Sequence, residues 1–256
     1  MHDEAICFLF TAHRSSFIVP TMIIYGLNPV LEAIRSHPKR VHYVGVSRSG
    51  KTQRVIDAAK NAGVPVRTLP HDQLDRLASR GVHNGVIADV SESGYADFDD
   101  VINRESTELV LILDSITDPQ NFGAILRVAE GFGFHLVVIP QHESVGLTPV
   151  AVKASAGASE WVAVAQVTNL ARTIEALKEK GYWIYAAAAN GDRPNVVDFR
   201  GKVALVLGNE GKGIRRNVLE HCDRVLTIPM SGRVESFNVA TAAAVLCYEV
   251  RRQRLE

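Results

Sequence analysis

Three short polar runs, each following an apolar stretch, carry the residues best suited to chemistry. The first spans residues 114–127, Asp-Ser-Ile-Thr-Asp-Pro-Gln-Asn-Phe-Gly-Ala-Ile-Leu-Arg. It turns at Asp118-Pro119 and enters a helix near Asn121. Gly123 and Arg127 stand four apart and share a helix face, where a glycine leaves room for a ligand to approach the guanidinium. An arginine paired with a carboxylate across the fold fits the same spacing. The second run, residues 208–216, is Gly-Asn-Glu-Gly-Lys-Gly-Ile-Arg-Arg. Its glycines permit tight turns and close backbone approach, but the spacing matches neither GxGxxG nor GxxxxGK[ST]. Glu210 would repel a phosphate and suits a hydroxyl, an amine or a cation, whereas Lys212, Arg215 and Arg216 either meet phosphates or lie solvated. The third run, residues 228–240, begins Ile228-Pro229-Met230 and passes Ser236-Phe237-Asn238 into an apolar helix that either Ser236 or Asn238 can cap.

Such side chains need a scaffold that brings three distant segments to one place. Residues 109–113, 136–139, 183–188, 203–207 and 225–228 read as near-continuous apolar strands. Helical patterns occupy 121–132, 169–180, 214–221 and 238–252. That alternation predicts a parallel sheet covered on both faces, with ligands at the carboxyl ends of its strands, where the polar runs lie. The last helix is apolar almost all round, so it belongs in the core or against another subunit.

Ahead of this domain, residues 41–46, 64–69 and 85–88 read as strands, and residues 30–36, 52–61 and 72–78 as helices, Asn28 capping the first with Pro29 in its first turn. We expect a small α/β domain over 22–90, an acidic hinge over 91–108 and a second α/β domain over 109–256. Residues 1–21 are expected to be an N-terminal extension, either a disordered tail or the product of an upstream start codon chosen in error rather than a targeting signal, since no convincing cleavage site follows.

Composition is that of a globular protein, with 46% hydrophobic and 22% charged residues. No apolar run is long enough to span a bilayer. Cys7, Cys222 and Cys247 are widely spaced and form no CxxC pattern, which disfavours a zinc site or a disulfide framework and suits the cytoplasm. Net charge is zero, yet residues 22–90 carry ten Lys+Arg against five Asp+Glu, or +5, and residues 91–256 carry 17 against 21, or −4. A basic front half is suited to a polyanion, and ordinary surface scatter gives the same figures.

The three runs, in this order, resemble the SPOUT-superfamily methyltransferases of the TrmH type, which methylate ribose 2′-hydroxyls in RNA. The matching residues are Asn121-Phe122-Gly123 with Arg127, then Gly208-Asn209-Glu210-Gly211 with Gly213, then Ile228-Pro229-Met230 with Ser236-Phe237-Asn238-Val239. Upstream, Tyr25-Gly26 and His83-Asn84-Gly85-Val86 look like the family's small RNA-binding domain. Asn84 stands where glutamine is usual, and Phe237 where leucine is usual. The plan from Met22 onward is similar to the bacterial subgroup that modifies a guanosine in 23S ribosomal RNA.

The resemblance implies a carboxyl-terminal trefoil knot, a homodimer and S-adenosylmethionine as cofactor; neither a metal nor a membrane partner is indicated by the residues. It implies that Gly208, Ile228, Met230 and Phe237 hold the cofactor, and that Asn121, Arg127, Glu210, Ser236 and Asn238 form the catalytic site. A guanidinium stays protonated at neutral pH and is a poor base, so Arg127 is expected to stabilise the developing alkoxide while Glu210 or water accepts the proton. Rival readings are a transfer-RNA methyltransferase and a non-catalytic RNA-binding factor on the same fold. A nicotinamide-dependent dehydrogenase lacks its fingerprint.

Overall fold

The computed structural model describes residues 20–48, 52–91, 94–234 and 236–255. The expected N-terminal extension lies almost wholly outside the described residues, as does Cys7.

The small domain runs β1 (Thr21–Tyr25), α1 (Leu27–Ser36), β2 (Val41–Val46), α2 (Gln53–Asn61), β3 (Val66–Thr68), α3 (His71–Leu77) and β4 (Val86–Ser91). Its strand order is β1-β4-β2-β3, with β4 antiparallel to both neighbours and β2 parallel to β3. Alternation sorts the side chains onto two faces. Val86, Ala88 and Val90 pack with α1 and α2, and Ile87 packs with Tyr25 under α3. Helix α1 starts two residues earlier than Asn28 predicts. Gly26, at φ 102°, is its cap residue, and Asn28 lies inside the helix.

Helix α4 (Phe98–Ile102) follows, capped by Asp97, which accepts from the Asp100 amide at 3.0 Å. It lies within the segment expected as an acidic hinge, and its Val101 and Ile102 are buried against the larger sheet.

The second domain comprises β5 (Leu109–Asp114), α5 (Pro119–Gly131), β6 (Leu136–Pro140), α6 (Pro149–Ala154), β7 (Ala163–Val167), α7 (Leu170–Glu179), β8 (Trp183–Asp192), β9 (Val203–Gly208), α8 (Arg216–Leu219), β10 (Arg224–Leu226) and α9 (Val239–Gln253). All its strands are parallel, in the order β10-β8-β9-β5-β6-β7. Leu109, Leu111 and Leu113 of β5 point toward α5, α6 and α9, while Val110 and Ile112 point toward α4, α7 and α8. The protein is thus α/β, with a parallel sheet covered on both faces behind a smaller domain. From β5 the chain winds outward to β6 and β7, then returns to lay β9 on the other side of β5.

Three elements escape the sequence reading: β1, β7 and α6. Helix α6 alters one inference directly. Gly123 is buried, and a β-carbon there would collide with the Ala151 carbonyl and with Ala154 and Ser155. Its smallness admits helix α6, not a ligand beside Arg127. Val152 of α6 also enters the core of the small domain, so the two domains share packing there.

Candidate active site

The site is assembled from helix caps and one loop. Asp118 accepts from the Gln120 and Asn121 amides, both at 3.2 Å, which fixes the first turn of α5 and aims Asn121 outward. Asn238, not Ser236, caps α9, its Oδ1 accepting from the Ala240 amide at 2.9 Å. Capping commits the oxygen and leaves Asn238 Nδ2 to donate elsewhere. It donates to Asn121 Oδ1 at 3.0 Å and to Glu210 Oε1 at 2.7 Å, while Asn121 Nδ2 donates to the same Glu210 oxygen at 2.5 Å. Glu210 Oε1 therefore accepts from two amides. Its Oε2 makes no hydrogen bond among the described residues.

The loop that carries Glu210 is shaped by residues the sequence reading left unassigned. Asn209 and Gly213 pair through both backbone amides, at 3.1 and 2.7 Å. Asn209 Oδ1 accepts from the Gly211 and Lys212 amides, and its Nδ2 reaches the Ser115 carbonyl at 3.0 Å. Beneath it, Asp114 is fully buried and stands opposite Gly208 in the β5–β9 register. Asp114 accepts from the Arg215 amide and from Arg215 Nε, both at 2.7 Å, and from Ser115 Oγ at 3.1 Å. A buried carboxylate is tolerable only with such partners. A β-carbon on Gly208 would collide with the backbone of Gly213 and Ile214, so glycine is required for the loop to fold back there.

Beside this loop lies a cleft of about 430 Å³. It is bounded by residues 187–190 at the end of β8, by 208–210, by 226–230 after β10, and by Ser236, Phe237, Val239 and Ala242. Gly208, Ile228, Met230, Phe237, Glu210 and Ser236 all line it, whereas Asn121 and Asn238 adjoin it through Glu210. Arg127 does not. Six residues beyond Asn121, it lies about 9 Å farther along α5 and about 120° around it. It is exposed and makes no hydrogen bond or ion pair among the described residues.

Neither described cysteine offers a nucleophile. Burial pushes the Cys222 thiol up to about 12 and that of Cys247 strongly upward. One group has metal-like spacing, His71, Asp75 and His83 in the small domain. His83 Nδ1 accepts from the Gly85 amide at 2.9 Å, so its Nε2 carries the proton and donates to Asp75 at 3.0 Å. That tautomer leaves no lone pair for a metal ion and makes His83 a brace for the turn.

Residues 108–248 match the SpoU rRNA Methylase family, and residues 23–96 match the RNA 2′-O ribose methyltransferase substrate-binding domain. The chain belongs to the SpoU rRNA methylase family. Two relatives show how far the match extends. The TrmH-family tRNA/rRNA methyltransferase YacO of Bacillus subtilis is 41% identical, over 90% of this chain and 95% of its own. The 23S rRNA (guanosine-2′-O-)-methyltransferase RlmB of Pseudomonas syringae is 38% identical over 90% and 95%. In fold, the chain is similar to the SpoU methyltransferase AviRb of Streptomyces viridochromogenes, solved with AdoMet. The TM-score is 0.79 at 24% identity, covering 92% of this chain and 91% of that one. This SpoU-family protein is an RNA 2′-O-ribose methyltransferase with a substrate-binding domain ahead of its methylase domain. No helix among its described residues is long and apolar enough to cross a membrane.

Proposed function

We propose that the protein is a cytoplasmic homodimer that transfers a methyl group from S-adenosylmethionine to the ribose 2′-hydroxyl of a guanosine in 23S ribosomal RNA. The observation that carries this reading is the meeting of Asn121, Glu210 and Asn238 at the mouth of the cleft. The RlmB relative and the substrate-binding domain favour ribosomal RNA. The name of YacO keeps transfer RNA as the second reading.

The cleft suits the cofactor. Its volume falls in the usual range of about 300–1,000 Å³ for small-molecule sites. Alanines 187–189, Leu226 and Ile228 supply apolar walls, and no side chain projects from Gly208. Gly208, Ile228, Met230 and Phe237 would hold it. S-adenosylmethionine supplies a methyl group already activated as an electrophile. The remaining work falls to this chain: orienting the ribose, removing its proton and countering the charge that develops on oxygen.

Glu210 is the proton acceptor in this reading. Two amides hold its Oε1, so Oε2 is the atom left to take the proton of a ribose hydroxyl. Asn121 and Asn238 fix the carboxylate, and Ser236 orients the ribose from the cleft wall. Arg127 offsets the alkoxide charge and engages the neighbouring phosphate. Because it faces away from Asn121 on α5, we assign it to the partner's site. The exposed stripe Thr241, Val245 and Tyr248 on α9, with Tyr248 edge-on to Phe132 at 6.2 Å, supports a dimer face beside it. A trefoil knot is supported by the path of the chain. Helix α9 packs on α5 and β9 after β10 has left the sheet edge, and its Gln253 bonds Pro194 and Phe199 of an earlier loop.

Labelled S-adenosylmethionine offered with bulk ribosomal RNA and, in parallel, bulk transfer RNA tests the reading. An alkali-resistant mark in ribosomal RNA alone is expected. A mark confined to transfer RNA overturns the substrate, and no mark in either overturns the reading.

A further inference from the structure

At the junction of the two domains, Lys153 in the last turn of α6 lays its side chain over the backbone of Gly26. Gly26 has φ 102°, a conformation open to glycine, and a β-carbon there would occupy the place of Lys153 Nζ. The notch thus depends on the absence of a side chain, and a lysine fills it. Yet Nζ makes no hydrogen bond or ion pair among the described residues. Burial lowers the pKa of this lysine, and no neighbouring charge of either sign contributes. An ammonium partly stripped of water and given no acceptor is half of an interaction.

The position of the notch indicates the other half. Helix α6 contacts α5 at Gly123, two residues beyond Asn121. On the other side, the Gly26 amide donates to the Val86 carbonyl at 3.0 Å, next to the turn at Asn84 (φ 53°) and Gly85 (φ 79°). Lys153 therefore stands between the substrate-binding domain and the start of the helix that carries Asn121. A lysine serving only the helix dipole of α6 would need neither the glycine notch nor a place between the two domains.

We propose that Lys153 is a phosphate-binding residue, holding the RNA backbone where the strand passes from the small domain to the Asn121–Glu210–Asn238 site. The proposal rests on the RNA methyltransferase reading. It identifies a contact at the seam between the domains, where a phosphate completes the coordination of the ammonium and excludes its remaining water.

The test is RNA binding by the full-length Lys153→Met variant as salt is varied, using ribosomal RNA and dissociation constants for S-adenosylmethionine alongside. Methionine keeps the length and apolar stem of the side chain and removes the charge. Loss of one phosphate contact reduces the slope of log K against log salt by about 0.7, which at 0.1 M salt is roughly a fivefold loss of RNA affinity. Cofactor affinity stays at the wild-type value. Gly26→Ala, which expels Nζ from the notch, gives the same reduced slope wherever it folds. A purely structural lysine would change melting temperature and leave the slope alone. An unchanged slope in Lys153→Met therefore overturns the assignment while leaving the methyltransferase reading intact. Wild-type protein that binds no RNA overturns both.

Discussion

Two loops in this molecule are braced in the same way and put to different use. In the large domain, buried Asp114 ties down residues 208–215 through the Arg215 amide and guanidinium. In the small domain, buried His83 ties down the turn before β4 through the Gly85 amide and Asp75. Both braces hold backbone in left-handed conformations, at Ser115 and Gly213 in one case and at Asn84 and Gly85 in the other. The first loop stands over a cleft and presents a carboxylate pinned by two amides. The second leaves Val82 73% exposed and Asn84 exposed, on the domain whose charge is +5. A braced loop with a cleft and an ionisable group is equipped for chemistry. One with an open surface, on a domain of net positive charge, is suited to a polyanionic strand. The difference lies in what stands opposite the loop.

The largest effect is expected where the brace is a charge. Asp114→Ala removes two charge-assisted hydrogen bonds, from the Arg215 amide and from Arg215 Nε, each worth about 1.5–3 kcal/mol, while the half-exposed guanidinium keeps water and Glu143 as partners. Denaturant unfolding measures it, and a loss below about 1 kcal/mol would mean that the loop holds itself. Gly208→Ala acts on the same loop from above. The added methyl forces the backbone at Gly213 and Ile214 to move, and a displacement of about 1 Å costs on the order of 100-fold in activity. Calorimetry should show the cofactor affinity falling with it.

His83→Ala sharpens the contrast from the other side. It strands the Gly85 amide and costs about 1–3 kcal/mol. RNA affinity should fall while cofactor affinity holds, and the opposite pattern would break the division of labour between the loops. The smallest expected signal is a partial recovery. Arg127→Ala and Glu210→Gln subunits, each inactive alone, should form mixed dimers with one intact site if Arg127 serves the partner. Random mixing then restores about a quarter of wild-type activity. No recovery would assign Arg127 to its own subunit's site.

Much of this was legible in the chain, because the large sheet is buried on both faces and its strands read as unbroken apolar runs. The polar runs after β5, β9 and β10 stand out against them. What could not be read was long-range packing. Gly123 suggested an open approach to Arg127 until α6 was seen to fill it, some thirty residues later in sequence. Asp114 looked like one more polar residue after a strand, and only the pairing of β5 with β9 sets it under Gly208. Strand β7 and helix α6 are short, and β7 is only partly buried, so their periodicity is weak. Thr148-Pro149 was the available signal for α6, a capping residue before a proline in the first turn. The exposure of one α9 face, at Val245 and Tyr248, was hidden by its almost uniformly apolar composition.

In the proposed mechanism Glu210, held by Asn121 and Asn238, takes the proton of the ribose hydroxyl. Single-turnover methyl transfer to ribosomal RNA by Glu210→Gln, at saturating cofactor and RNA, tests it most directly. The expected rate is lower by about 10²–10⁴-fold, with both ligands bound as tightly as by the wild type. A rate within about threefold of wild type, under the same saturation, would contradict it and hand the proton to another acceptor.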